Sequence, residues 1–185
     1  MIQANVLQIS RDKVILVNSQ DEVLGFADKE ASHDGKGVLH RAFSVFIFNS
    51  KGELLLQQRS KEKRLWPMFW SNSCCSHPTP EETYQAAAQR RINEELNIKT
   101  PLKLHYKFEY QAEFGEAGSE HEMCAVLSGV CDDQPKIDRN EIEAFRWISA
   151  DKLTQEIKDN PDIFTPWFKM EWSEIKGGIS PMINS

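Results

Sequence analysis

The sequence contains no apolar run approaching the ~20 residues that a membrane-spanning helix needs, so no such helix is expected. Its first residues, Met1-Ile2-Gln3-Ala4-Asn5, lack the basic-then-apolar pattern of a secretory leader. It has no surplus of positive charge. Lys+Arg total 22 against Asp+Glu 28, a net charge of −6, the reverse of the basic footprint of a general nucleic-acid binder. A local basic pocket for a small anion stays compatible with that balance. Cysteine is scarce: Cys74, Cys75, Cys124 and Cys131 are too few to staple 185 residues, and two of them are adjacent. A reduced, cytoplasmic chain is therefore expected. No internal repeat and no low-complexity stretch interrupts the sequence. What is left is ordinary globular composition, 40% hydrophobic and 27% charged. A chain of this length buries roughly 70% of its unfolded surface around one core.

Short strand-like runs occupy 14–17 and 23–26, separated by the turn composition Asn18-Ser19-Gln20-Asp21. Residues 32–37 read as a polar loop with two glycines. Residues 42–48 are β-branched and aromatic, and 54–58 return after Asn49-Ser50-Lys51-Gly52, which predicts a hairpin. Residues 65–70 are apolar and aromatic but contain Pro67, so a regular central strand is not expected there. The strongest element is a helix. Thr79 is placed to cap it, Pro80 to occupy its first position and Glu82 to close a capping box. Tyr84, Ala88, Ile92 and Leu96 make one apolar face, and Asn97 suits a left-handed C-terminal cap. Arg90 and Glu94, and Arg91 and Glu95, are spaced to pair on its surface. Further strands are predicted at 102–110, 123–130 and 144–148. Helices are predicted at 149–158, capped by Ser149, and at 164–175, followed by a loose tail at 176–185. Strands in hairpins with two or three helices point to an α+β, mixed-sheet sandwich rather than repeating βαβ units.

Two sets of residues carry a family resemblance. Ser76, five residues, Glu82, seven residues, then Arg90-Arg91-Ile92-Asn93-Glu94-Glu95-Leu96-Asn97-Ile98 resembles the Nudix box. Glu82, Arg90, Ile92, Glu94, Glu95 and Ile98 fit it, while Ser76, Arg91 and Asn97 depart. Asn97 for glycine is mild, because Asn tolerates the same backbone region. Arg91 for glutamate is not, since it removes an acid from the face on which Nudix hydrolases hold several metals. Around the box, Trp66-Pro67-Met68-Phe69-Trp70-Ser71-Asn72-Ser73-Cys74-Cys75-Ser76-His77-Pro78 resembles the signature of type 1 isopentenyl-diphosphate isomerases. Upstream, Ser32-His33 and Leu39-His40-Arg41-Ala42-Phe43-Ser44 resemble that family's two-histidine segment. Downstream, Glu120-His121-Glu122-Met123-Cys124 resembles its Glu-x-Glu pair. The resemblance spans about residues 29–167.

The residues themselves are consistent with a metal site. His33, His40 and His77 supply three imidazoles, and Glu120 and Glu122, two apart on a strand, present two carboxylates to one face. Three nitrogens and two oxygens suit a divalent first-row metal with five or six ligands, although such residues are also common on ordinary surfaces. His121 alternates away from its glutamate neighbours, and His105 matches no motif. Taken alone, Cys75 reads more readily as a small core residue than as a catalytic one, and the basic run 61–64 as a solvated face.

The resemblance implies more. The fold would be a Nudix-like mixed β-sheet sandwich with flanking helices in one compact unit. Residues 1–37 would form N-terminal strands and a metal-site loop packed on a catalytic domain at 38–170, with 171–185 as helix end and tail. The activity implied is interconversion of isopentenyl and dimethylallyl diphosphate by a 1,3-proton shift through a carbocation. Cys75 would be a catalytic acid/base, with Cys74 at a variable position and Cys124 and Cys131 as core. Glu122 would be the second proton carrier, with Tyr110 supplying or orienting a proton. His33, His40, His77, Glu120 and Glu122 would bind a divalent ion, Zn²⁺ or Mn²⁺ with Mg²⁺ as the alternative. Glu95 would hold a Mg²⁺ entering with the substrate. Lys29, Arg59, Lys63 and Arg91 would bind the diphosphate, and Trp167 would face the cation. The expected partner is a small-molecule diphosphate, with neither nucleic acid nor membrane, for a monomer or weak homodimer. Two readings compete. One is a Nudix pyrophosphohydrolase with Glu82, Glu94 and Glu95 on metals, against which Arg91 and the Cys75/His77 signature stand. The other is a non-catalytic metal-binding or scaffold protein of Nudix fold, which the filled reactive positions disfavour.

Overall fold

Strand β3, His40–Phe48, is apolar on both of its faces, and that composition sets its place in the molecule. Phe43, Val45 and Ile47 point one way and Ala42, Phe46 and Phe48 the other, each at most 2% exposed. Such a strand must be covered on both sides, and each Phe or Ile fully buried there contributes roughly 1.5–3 kcal/mol. The structure, a computed structural model, describes residues 12–176. The N-terminal segment 1–11 and the tail beyond Lys176 lie outside the described residues.

Among the described residues the strands form one mixed sheet around β3. Strand β1, Lys13–Val17, meets β3 at Leu16–His40 and carries the antiparallel strand β2, Val23–Asp28. The short helix α1, Lys29–Ser32, follows β2, capped by the Asp28 carboxylate, where the sequence reading had only a polar loop from residue 32. Strand β8, Ser119–Val130, runs parallel to β3 along its whole length, from His40–Glu122 to Phe48–Val130, and pairs outward with β7, Lys103–Glu113. Strand β4, Leu54–Arg59, pairs with β9, Ile142–Ile148, and with the two-residue strand β5, Trp70–Ser71. Helix α2, Tyr84–Leu96, covers one face through Ala87, Ala88, Ile92 and Leu96. Helix α4, Pro166–Ile175, covers the other through Phe168, Trp172 and Ile175, with α3, Ala150–Asp159, beside it. The result is the expected mixed sandwich with flanking helices. Among the described residues, no helix is long and apolar enough to cross a membrane.

The expected hairpin of 42–48 with 54–58 does not form as such. Strands β3 and β4 pair only at Phe48–Leu54 and then diverge. Between them enters the segment leading to β6, Cys74–Ser76, which pairs antiparallel with β3 at Phe43–Ser76, Ser44–Cys75 and Val45–Cys74. Its side chains take over main-chain bonding. The buried Ser73 hydroxyl accepts from the Ile47 N–H at 2.8 Å and donates to the Leu55 carbonyl at 2.7 Å. The fully buried Asn72 amide donates to the carbonyls of Cys74 at 2.8 Å and Val45 at 3.3 Å. Strand pairing lost to the insertion is thus replaced by the hydroxyl and amide of the motif, which keeps the buried backbone satisfied.

The start of α2 also differs from the sequence reading. Thr83, not Thr79, is the N-cap, its hydroxyl accepting from Ala86 N–H at 3.2 Å. Residues 79–82 form a separate turn, with Glu82 Oε2 accepting from Thr79 N–H at 2.9 Å. The cause is Arg90, whose Nε and Nη2 take both Glu82 oxygens at 2.6 and 2.8 Å and hold the turn against the helix side. At the other end, Asn97 adopts φ 55°, ψ 34°, the left-handed cap expected of it.

The Glu82–Arg90 pair has a measurable acid signature. Burial alone would raise the Glu82 pKa, but Arg90 and the Thr79 N–H outweigh it and bring it to about 2. A carboxyl lowered in the folded state contributes its stability fully above its unfolded pKa and loses it as pH falls from ~4.5 toward ~2. Glu82→Gln is expected to cost about 1–3 kcal/mol at pH 7 and progressively less below pH 4.5. Urea unfolding of both proteins across pH 2.5–7 checks this, and a gap independent of pH would show that the pair contributes nothing.

Candidate active site

Five potential ligands converge at one end of β3. His33 is the C-cap residue of α1, His40 opens β3, His77 follows β6, and Glu120 and Glu122 sit on one face of β8. The parallel register sets His40 directly beside Glu122. One nitrogen or oxygen from each residue lies within 4.8 Å of all the others. The imidazole centroids are 4.9, 4.9 and 5.3 Å apart. His33 Nδ1 lies 2.6 Å from the Lys29 carbonyl, and His40 Nδ1 lies 2.7 Å from that of Val38. A carbonyl only accepts, so both rings carry a proton on Nδ1 and turn Nε2 inward.

The donor set fits a divalent ion. His40 Nε2 is wholly buried and has no hydrogen-bond partner, its nearest carboxylate oxygen, on Glu122, being 3.8 Å away. His33 Nε2 and Glu120 Oε2 approach to 2.9 Å, and His77 Nε2 and Glu122 Oε1 to 3.0 Å. Burial lowers the pKa of His40 to about 4 and takes His77 well below its usual range, so both are the neutral imidazoles that metals require. Burial also acts to lower His33, but Glu120 outweighs it and raises the ring. Burial would raise Glu120, yet the His33 imidazole holds it to about 2. Glu122 is pushed well up, first by burial and then by the neighbouring Glu120 charge.

Beside this cluster lies a cavity. Its lining includes Cys75, Tyr110, Glu122 and Trp167 together with the cations Lys29, Arg59, Lys63 and Arg91. Cys75 faces it because β6 alternates: Cys74 turns into the core under α2, and Cys75 turns to the side of α4. Burial raises the Cys75 thiol to about 12, with the Arg59 charge acting against this, so the sulfur keeps its proton. Its nearest polar contact is Ser71 Oγ at 3.9 Å, itself 2.9 Å from Thr165 Oγ1, the residue that begins α4. Tyr110 donates its hydroxyl to Glu122 Oε2 at 2.6 Å. Trp167 stands edge-on to Trp66 at 5.2 Å, with the Arg59 guanidinium 5.3 Å from its ring centroid. Glu95, 2% exposed, is one layer back, its Oε1 2.5 Å from Arg91 Nη2. His105 and His121 stay outside, bonded to Ser128 at 2.7 Å and to Glu109 at 3.2 Å.

The structure gathers the residues singled out from the sequence and adds some that were missed. Arg64, also in the lining, donates to the Ala117 carbonyl at 2.9 Å, the Glu30 carbonyl at 3.0 Å and the Asp34 carboxylate at 2.6 Å. In the sequence it was one member of a basic run. Glu141 bridges Lys63 and Arg91, and nothing in its charged turn signalled this. Glu171 is buried on α4, four residues past Trp167, with Cys124 Sγ at 3.6 Å. The helical period placed it on the inner face, but no motif marked it. The carboxylates of the hydrolase reading are engaged by arginine: Glu82 by Arg90, Glu94 by Arg90 and Arg91, and Glu95 by Arg91.

Comparison with known proteins agrees with this geometry. The model of the NUDIX domain family matches residues 38–168. An isopentenyl-diphosphate Delta-isomerase of Photorhabdus laumondii is 42% identical over 166 residues, covering 89% of this chain and 94% of that protein. One of Saccharopolyspora erythraea is 34% identical, covering 89% and 86%. Among solved structures, DR0079 from Deinococcus radiodurans shares the fold with a TM-score of 0.69 at 22% identity, covering 92% of this chain and 98% of that one. A MutT protein from Methanosarcina mazei shares it with a TM-score of 0.62 at 20% identity, covering 75% and 93%.

The orphaned His40 nitrogen gives a direct test. The wild-type chain is expected to retain about one divalent ion on purification and to lose thermal stability on chelation. His40→Ala is expected to retain none and to melt at the same temperature with or without chelator. Elemental analysis showing equal metal in both proteins would remove His40 from the ligand set.

Proposed function

This chain belongs to the isopentenyl-diphosphate Delta-isomerase family of Nudix-domain proteins, and from that premise we propose that it interconverts isopentenyl and dimethylallyl diphosphate. The observation that carries the reading is the meeting, in one cavity, of a half-buried, protonated thiol and a carboxyl held by a tyrosine hydroxyl. The reaction adds a proton to the terminal carbon of an unactivated alkene and removes one from the methylene on the other side. An alkene is a feeble base, so the acid has to be held against the carbon in a site that excludes water.

Cys75 and Glu122 are the two proton carriers of this reading, placed on strands that flank β3 on opposite sides. One donates and the other accepts, so the substrate leaves with its charge unchanged. Tyr110 orients Glu122 through its 2.6 Å hydrogen bond. The intermediate is a tertiary carbocation, which the π-face of a desolvated Trp167 stabilises by ~2 kcal/mol. Lys29, Arg59, Lys63 and Arg91 face the diphosphate, with arginine suited to its oxygens by its planar fork. A divalent ion on His33, His40, His77, Glu120 and Glu122, Zn²⁺ or Mn²⁺ by its donor chemistry, would supply the positive charge that two adjacent buried carboxylates lack. Glu95 would serve the Mg²⁺ that accompanies the diphosphate. A hydrolase needs acids along the α2 face, and Arg91 replaces one of them and pairs with Glu94 and Glu95.

The deciding experiment is an NMR assay of isopentenyl diphosphate with Mg²⁺, in which the dimethylallyl product is expected. Release of inorganic phosphate or a monophosphate would favour the hydrolase instead. Within the assay, Cys75→Ser is expected to lose at least ~100-fold in kcat, because a hydroxyl is a far weaker acid than a thiol. Cys74→Ser, on the opposite face of β6, is expected to change stability but little else. A folded, inactive Cys74→Ser beside a fully active Cys75→Ser would reverse the assignment.

A further inference from the structure

Lys63 and Arg91 face the cavity, yet both are already paired from behind. Glu141, immediately before β9, places Oε1 at 2.8 Å from Arg91 Nη2 and accepts from Lys63 Nζ with Oε2. Both terminal nitrogens of Arg91 are committed, Nη2 also to Glu95 at 2.5 Å and Nη1 to Glu94 at 3.0 Å, while Nε is buried without a partner. Glu141 itself is not part of the cavity wall. Its backbone is fixed. The Glu141 carbonyl accepts from Ser60 N–H at 3.0 Å, and its N–H donates to Asp138 O at 3.1 Å. Asp138 N–H donates in turn to Glu95 O at 2.9 Å, and Lys63 N–H to Ser60 O at 3.2 Å. The carboxylate therefore stands on main chain pinned both to the loop that carries Lys63 and to α2 at Glu95, one turn after Arg91. Burial would raise its pKa, but Lys63 and Arg91 outweigh that and hold it to about 2, so the charge is permanent at neutral pH.

Nothing in the sequence motifs asks for an anion here, and an anion behind a phosphate-binding pair weakens the pair. Its presence makes sense in an isomerase. Substrate and product carry the same diphosphate, so every contact to it holds both equally. Binding energy spent uniformly lowers KM without lowering the barrier, and beyond a point it slows product release. We propose that Glu141 is the built-in counter-ion of the diphosphate subsite, a positioning residue that keeps Lys63 and Arg91 in place and caps their affinity so that product can leave. The inference rests on the isomerase reading and extends it to the control of release.

Two effects of removing the charge oppose each other, and their sizes differ. Loss of a hydrogen-bond partner loosens two side chains. Loss of a full negative charge a few ångström from a multiply charged anion acts more strongly, changing affinity by roughly tenfold or more at an effective dielectric near 20. Glu141→Gln is therefore expected to bind inorganic pyrophosphate roughly tenfold more tightly by calorimetry in the presence of Mg²⁺. Its KM for isopentenyl diphosphate and its kcat should fall together. Glu141→Asp keeps the charge and is expected to stay within about twofold of wild type in both assays. If circular dichroism shows that Glu141→Gln does not fold, Glu141→Ala carries the same expectation. Unchanged or weaker pyrophosphate binding in the neutral variant overturns the counter-ion role, and leaves the isomerase reading standing if the wild type turns over isopentenyl diphosphate. Tighter pyrophosphate binding in a chain without isomerase activity supports the counter-ion and sinks the isomerase reading.

Discussion

The Ser73 hydroxyl accepts from Ile47 on β3 and donates to Leu55 on β4, and the positions of the reactive groups depend on that bridge. Two strands joined by five residues, 49–53, ordinarily zip along their length. Here a side chain makes the bonds, so the strands part after one residue pair and β6 can enter. Its register with β3 sets Cys75 opposite Ser44 and turns the thiol toward α4. The other edge of β3 is left for β8, whose parallel register puts Glu122 beside His40. One buried hydroxyl thus lets a single strand align the thiol on one side and the carboxylates on the other. An alternating pattern alone could not do this, because neighbouring strands fix only their own register.

Burial then decides the protonation of what those strands carry. A buried ionisable group moves toward its neutral form unless a partner holds the charge. Cys75 and Tyr110 are both raised in this way, and His40 and His77 are lowered. Protonated thiol and phenol at one end, and neutral imidazoles at the other, follow from the same desolvation. The groups that remain charged are those with partners: Glu120 beside His33, Glu82 under Arg90, and Glu141 between Lys63 and Arg91. The cavity lining divides between a protonated thiol and phenol, Cys75 and Tyr110, and the cations Lys29, Arg59, Lys63 and Arg91. An allylic diphosphate, with an apolar chain on a polyanionic head, has the same division.

Much of this was legible in the sequence. The period of Tyr84, Ala88, Ile92 and Leu96 and the Asn97 cap gave α2 its face and its end, and the Glu120–Glu122 spacing gave two carboxylates on one face. The start of α2 was misjudged because Thr79 and Thr83 both look like caps. The choice between them is made by Arg90 reaching back two turns to Glu82, a tertiary contact no local rule contains. The hairpin was misjudged for a related reason: turn composition at 49–52 is correct, but strand pairing is a competition, and Asn72 and Ser73 win it from more than 20 residues away. Glu141 and Arg64 were illegible because their partners are brought together only by the fold. Charged residues in a turn look alike until their neighbours are known.

Arg91 shows how one substitution redirects a shared frame. On a Nudix helix its position belongs to the acidic face. A cation there pairs with Glu94 and Glu95 and reaches Glu141 on the next layer, so that face carries one acid fewer and a guanidinium lies against the acids that remain. The same guanidinium lines the cavity with Lys63. The face thereby gains a positive charge where the Nudix box has a negative one. The residues that could hold a metal ion lie at a different end of the sheet, where His33, His40 and His77 meet Glu120 and Glu122. Position 91 lies at the edge of the buried face of α2, three residues from Ala88 and four from Ala87 and Glu95, which sets the guanidinium at the cavity. Function on this fold is therefore set by which charged side chains decorate the frame, and the frame itself constrains only where they stand.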